Sequence, residues 1–393
     1  MAKEKNQSRP LKISDRSDIP MFRALDILRE VNERASKGVD IRRMGAGQPN
    51  VGAPPEALEY AISMIRSDPR QGYTEAIGMP ALCERIAAYY KDYYGAKADP
   101  RNIVITTGSS GGFILSFLAA FDAGDRVAIT TPTYPAYKNI LTALNIRTVE
   151  IETTPQSNYQ PTAELLDRCG QSFDGLIINS PSNPTGTMLA PGEMQKIANW
   201  CENKGVRLIS DEAYHGITYN RKAETAVEHS QSAIILNTFS KYFAMTGWRL
   251  GWLVLPSDLT DRVKKLAENL FVSPPTISQH LAFKIFDHLD ALNAYVETYR
   301  ENRGILLREL PKASFTSISN ADGAFYVYAD VHHLTNNSED YCRRMLDEAR
   351  VSTTPGVDFD AARGHGTIRI CYADRTEDIL EACERLKTWQ AGK

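Results

Sequence analysis

Between about residues 100 and 256, short apolar, β-branched runs alternate with stretches of helical periodicity, and no other feature constrains the fold of this chain as strongly. The runs fall at 103–106, 126–129, 176–178, 206–209, 233–236 and 253–255, and residues 192–203 repeat apolar positions at helical spacing between two of them. Strands apolar on both faces and separated by helices predict a mainly parallel sheet covered by helices on both sides. Ligands of such sheets gather at the carboxyl ends of the strands. The polar and glycine-rich segments of this chain fall just after the predicted strands, where a site would be built.

The two ends read differently. Residues 15–37 form an amphipathic pattern, and 287–308, 338–350 and 377–390 read as long charged helices around strands at 324–331 and 367–371. Neither end alone has enough apolar pattern for a core, so the two are expected to pack together as a smaller second domain in a chain of 393 residues, more than one core usually serves. A net charge of −3, from 45 basic and 48 acidic residues, gives no basic excess for nucleic acid and no polybasic cluster for a membrane surface. The opening MAKEKNQSRP lacks the apolar stretch of a secretory signal, and the most apolar run, 114–121, is too short to span a bilayer. A small-molecule partner and a cytoplasmic location are expected. Six cysteines without a C-x-x-C pair read as reduced and structural, and seven histidines without ligand spacing predict no metal site.

Several residues carry potential chemistry. Lys241 follows a strand and can be held in a dry site, where desolvation and neighbouring cations would lower its pKa and leave a nucleophilic amine. Arg249, eight residues on, offers a fork of donors suited to a phosphate dianion, to which the Ser240 hydroxyl adds one more. The small residues Gly108, Ser109, Ser110, Gly111 and Gly112 lie between a strand ending at Thr106 and an apolar helix expected from about Phe113, where backbone amides can approach a phosphate. Asp211 closes the run 206–210, which places its carboxylate at the carboxyl edge of the sheet. Taken singly, each also has an ordinary reading as a solvated lysine, a surface ion pair, a plain turn or a helix start.

Their order along the chain is more specific. The segment 237–252 (NTFSKYFAMTGWRLGW) resembles the lysine segment of class I/II aminotransferases of fold type I, the aspartate aminotransferase-like family. Further matches follow in the family's order from about Met44 onward: Tyr73 with Gly78-Met79-Pro80, the turn at 107–111, Pro132-Thr133-Tyr134-Pro135, SPSNPTG at 180–186, SDEAY at 210–214 and IRICY at 368–372. The resemblance implies an α/β fold with a mainly parallel seven-stranded sheet in a large domain, residues 49–284. A small domain would form from residues 285–393 with an N-terminal arm and segment, 1–48. It implies pyridoxal 5′-phosphate (PLP) carried as an imine on Lys241, and transfer of an amino group between an amino acid and a 2-oxo acid by ping-pong steps. By the same resemblance Asp211 pairs with the pyridine nitrogen, Tyr214 and Asn183 with the phenolic oxygen, and Tyr134 stacks on the ring. Ser109, Ser110, Ser240 and Arg249 hold the phosphate. Arg369 grips the substrate α-carboxylate beneath the segment of Gly47, and Tyr73 reaches the phosphate of the other subunit in a homodimer.

Two features qualify the substrate. Ser110 stands where one prokaryotic aspartate aminotransferase subgroup uses a lysine for the distal carboxylate, which argues against aspartate. The run 269–279 (NLFVSPPTISQ) is similar to aminotransferases of broad or neutral preference. PLP-dependent lyases and related synthases share the fold and most of these residues, and remain an alternative. A transcriptional regulator is not expected, because the residues before Met44 are too few for a DNA-binding module and show no basic helix-turn-helix.

Overall fold

The computed structural model describes residues 11–392; the polar opening stretch MAKEKNQSRP lies outside them. A seven-stranded sheet runs in the spatial order Ile103–Thr106, Gly251–Val254, Ile234–Thr238, Arg207–Asp211, Gly175–Asn179, Arg126–Thr131 and Arg147–Glu152. Five neighbours in that row are parallel. Gly251–Val254 alone runs against them, between Ile103–Thr106 and Ile234–Thr238. Four of the strands are buried at every position, as expected for a sheet covered on both faces. The strand Arg147–Glu152 was not among the apolar runs, because it forms the far edge and alternates buried Val149 and Ile151 with exposed charges.

Residues from both ends meet in smaller sheets. Arg42–Arg43 pairs in parallel with Val351–Ser352, and Thr354–Pro355, Thr367–Cys371, Tyr326–Asp330 and Ser317–Ile318 form a four-stranded antiparallel sheet in that order. The helices Leu289–Glu309 and Thr376–Ala391 follow the expected patterns closely. Ser338–Arg344 continues as a π-helical turn, Met345–Ala349. Two expectations shift. Residues 15–37 contain a 3₁₀ turn, Asp15–Ser17, then a non-helical stretch around Pro20, and only Arg23–Ser36 is α-helix. The helix expected from about Phe113 already starts at Gly108, so Ser109 and Ser110 sit in its first turn.

All six cysteines are free, and only Cys169 is not buried. Among the described residues no helix is long and apolar enough to cross a membrane, and no group of three or more His, Cys, Asp and Glu side chains converges as metal ligands would.

Candidate active site

The carboxyl ends of the parallel strands converge where the small sheet closes over them. Asp211 ends its strand 4% exposed, with Oδ1 accepting the Ala213 N–H at 3.0 Å and Oδ2 accepting the Tyr137 hydroxyl. Burial pushes this carboxyl up to about 6, against the pull of the two donors and of Lys241. On the neighbouring strand Asn179 donates to the Asp211 carbonyl at 3.0 Å and accepts the Asn183 N–H at 2.8 Å, which ties the turn before Pro184 to the same edge.

Lys241 follows the next strand, Ile234–Thr238. Its Nζ donates to the Gly47 carbonyl at 2.7 Å and lies 5.8 Å from the Tyr214 ring centre. Burial lowers its pKa to about 8, and the charges of Arg369 and Arg249 add to the effect. A lysine in this state keeps a substantial fraction of free amine near neutral pH. Gly47 is confined for a steric reason: a Cβ there would collide with the Tyr326 hydroxyl. Tyr326 shares a 2.8 Å hydrogen bond with Tyr214, hydroxyl to hydroxyl.

Arg369 is 2% exposed. Its Nη1 donates to Asn183 Oδ1 at 2.8 Å, and its Nη2 donates to the Gly45 carbonyl at 2.7 Å and to Thr354 Oγ1 at 3.2 Å. The rings of Tyr326 and Phe359 lie 4.5 and 4.7 Å from its Cζ. Such aromatic contacts hold a guanidinium flat in a site stripped of water. Strand register explains one of them: Arg369 pairs with Tyr328, so Tyr326, two residues along, is its diagonal neighbour on the same face. The Nε of Arg369 is buried without an acceptor, a donor left for an anion.

The phosphate candidates gather at the start of the helix Gly108–Ala120. Gly108 has φ +70°, and a Cβ on it would lie 2.6 Å from Arg249 Nη2, so the guanidinium rests against the turn. Arg249 is itself left-handed, φ 53°, and exposed, with Nη1 donating to the Thr246 carbonyl at 3.0 Å. Ser240 is buried and accepts the Thr238 hydroxyl at 3.0 Å; Ser109 is half-buried and Ser110 exposed. Tyr134 is half-buried, with its ring edge-on to Tyr137 at 5.4 Å. Tyr73 lies apart from this cluster within the chain, 86% exposed.

The structure therefore gathers Lys241, Asp211, Tyr214, Asn183, Arg369 and Gly47 in one cleft, with Arg249 and the serines at its phosphate end. Three residues escaped the sequence reading. Tyr137 lies one helical turn beyond Tyr134, a spacing that could have pointed to it. Tyr326 and Phe359 join Arg369 only through tertiary packing, and no local signal marks them.

The donor set fits PLP. A lysine amine with a lowered pKa, a buried carboxyl, and a helix start faced by a guanidinium and three hydroxyls would suit its aldehyde, pyridine nitrogen and phosphate in turn. The arrangement is that of a fold type I PLP enzyme. The family model for aminotransferase class I and II matches residues 39–386, and the chain belongs to that family. A valine–pyruvate aminotransferase of Mycobacterium tuberculosis is 42% identical over 382 residues, covering 96% of this chain and 98% of that one. A crystal structure of an aminotransferase from the same organism superposes with a TM-score of 0.95 at 41% identity, covering 98% of this chain and all of that one. The aspartate aminotransferase of Thermus thermophilus, solved with maleate, gives 0.90 at 26% identity over 96% of this chain and all of the other. The protein is thus a PLP-dependent transaminase that moves an amino group between an amino acid and a 2-oxo acid.

Proposed function

We propose that Lys241 is the lysine that carries PLP and moves the substrate proton, in a transaminase whose donor is a neutral amino acid. The observation that carries this reading is the lowered pKa of Lys241 in a cleft that also holds Asp211 and Arg369. When bound, PLP supplies an electron sink that stabilises negative charge at the substrate α-carbon. Arg369 binds the α-carboxylate through its fork, with Nε as the free donor, and Gly47 lies over it. The Lys241 amine takes the proton from the α-carbon. Asp211, held by Tyr137 and the Ala213 amide, keeps a proton on the pyridine nitrogen, while Tyr214 and Asn183 serve the phenolic oxygen. Tyr134 stacks on the ring, and Ser109, Ser110, Ser240 and Arg249 hold the phosphate. Two half-reactions on one site give ping-pong kinetics.

A neutral donor is supported by Ser110 at a position where a lysine would serve a distal carboxylate, and by the relative named for valine and pyruvate. We also propose a cytoplasmic homodimer in which Tyr73 serves the partner's phosphate, and a division into residues 1–48, 49–284 and 285–393, of which the first ten lie outside the described residues. The central test is chemical. Borohydride should bleach the yellow holoenzyme and leave the reduced adduct on the peptide containing Lys241, and Lys241→Ala should show no turnover. An adduct on another lysine would overturn the assignment.

A further inference from the structure

The helix Arg23–Ser36 has no capping side chain of its own at its start. Its first amides are met from far along the chain: Asp358 Oδ1 accepts the Arg23 N–H at 3.2 Å, and Oδ2 accepts the Ala24 N–H at 3.3 Å. A carboxylate at a helix N-terminus satisfies orphan donors and meets the positive end of the dipole. Asp358 is 8% exposed and immediately precedes Phe359, whose ring stacks on Arg369 and whose carbonyl accepts the Thr133 N–H at 3.0 Å. One short turn thus joins the carboxylate-binding arginine, the loop that carries Tyr134, and the N-terminal helix.

The residue before that helix is Phe22. Its half-buried ring stands edge-on to Tyr134 at 5.8 Å, and the Pro20 carbonyl accepts from Asn139 at 3.4 Å on the helix that follows Tyr134. Beyond these pins the helix is held by the ion pairs Arg23–Glu339 and Arg34–Asp347, each at 2.6 Å. Only Ala24 and Val31 are buried on it, and Val31 packs in a small cluster with Ile41 and Leu346, separate from the main core. Asp358 is thus the buried contact nearest Phe22, and the Arg23–Glu339 pair beside it is exposed.

With the α-carboxylate on Arg369 and the α-amine at Lys241, the remaining large substituent of the α-carbon must leave past Tyr134 and the segment that covers it. We propose that Phe22 is the wall against which the donor side chain packs, selecting apolar side chains, and that Asp358 is the positioning residue that holds Phe22 there. This inference rests on the assignment of Lys241 and Arg369 above.

The test compares kcat/KM of the holoenzyme for alanine, valine, leucine and aspartate as donors. Phe22→Ala should lower kcat/KM for valine and leucine about tenfold, the scale of a lost apolar contact, mainly through KM, with a smaller change for alanine. Phe22→Leu should recover most of the loss. Asp358→Ala should give the same donor-dependent loss, and the double variant should be no worse than either single one, because both act through one ring. Trypsin should cut after Arg23 several-fold faster in Asp358→Ala than in the parent protein, with or without PLP. An equal loss for all four donors in Phe22→Ala, additive losses in the double variant, or an unchanged cleavage rate would overturn the proposal. Borohydride labelling of Lys241 in each variant separates this failure from failure of the site assignment itself.

Discussion

Lys241 is half-buried, and desolvation together with the charges of Arg369 and Arg249 lowers its pKa. Only the neutral amine attacks an aldehyde. The apo protein should therefore recombine with PLP at a rate that rises with pH and levels off above about 8, whereas an ordinary lysine, near 10.5, would keep gaining. Stopped-flow absorbance checks this, and Arg369→Gln, which removes the larger of the two charge effects, should move the plateau to higher pH. A plateau unmoved by that substitution would remove Arg369 from the causes. Lys241 and Asp211 were legible in the sequence because one follows a strand and the other closes one, so their places at the sheet edge follow from the apolar runs before them, whereas Arg369 lies inside the strand Thr367–Cys371 and was marked only by the resemblance of its IRICY segment. Phe359 was not, because it meets Arg369 from a separate turn and only the folded chain brings them together.

The helix Gly108–Ala120 and its first residue form the end of the cleft proposed to hold the phosphate. Gly108 combines a positive φ with a Cβ position occupied by the Arg249 guanidinium. Gly108→Ala should displace Arg249 and weaken PLP binding by about 1.5–3 kcal/mol, the range for a hydrogen bond to a charged group. Gly124→Ala is the control, since Gly124 has φ +98° with nothing within 4 Å of its Cβ position. Both variants should lose thermal stability through backbone strain, but only Gly108→Ala should lose PLP affinity in equilibrium dialysis. The pattern of apolar runs located six strands of the large sheet, and helical periodicity pointed to some of the helices but passed over others, such as Pro55–Ser67, Pro80–Tyr94 and Ser257–Leu270. It passed over Arg147–Glu152, whose outward charges break the run, and it started the helix at Phe113 because glycine and serine favour turns when read without their tertiary partners.

At the scale of the whole molecule, Tyr73 is 86% exposed on its own chain, which a shared site would explain. Mixing Lys241→Ala chains with Tyr73→Ala chains should regain activity above that of the Tyr73→Ala homodimer, because one site then combines a native lysine with a native tyrosine from its partner. No recovery after confirmed subunit exchange would argue for a site complete within one chain. The reversed strand Gly251–Val254 has a different consequence, for synthesis. Ile103–Thr106 has no other partner strand in its sheet: Ile103 pairs with Val254, and beyond that pairing the Ile77 carbonyl accepts the Ile105 N–H and the Cys83 thiol donates to the Ile103 carbonyl. As the ribosome delivers the chain, this apolar strand must wait unpaired until residue 254 emerges, while the strands that follow it can already find one another. The nascent protein passes through a period with an open, adhesive sheet edge, so chains halted short of residue 254 should aggregate more readily than the finished molecule when both are followed by light scattering.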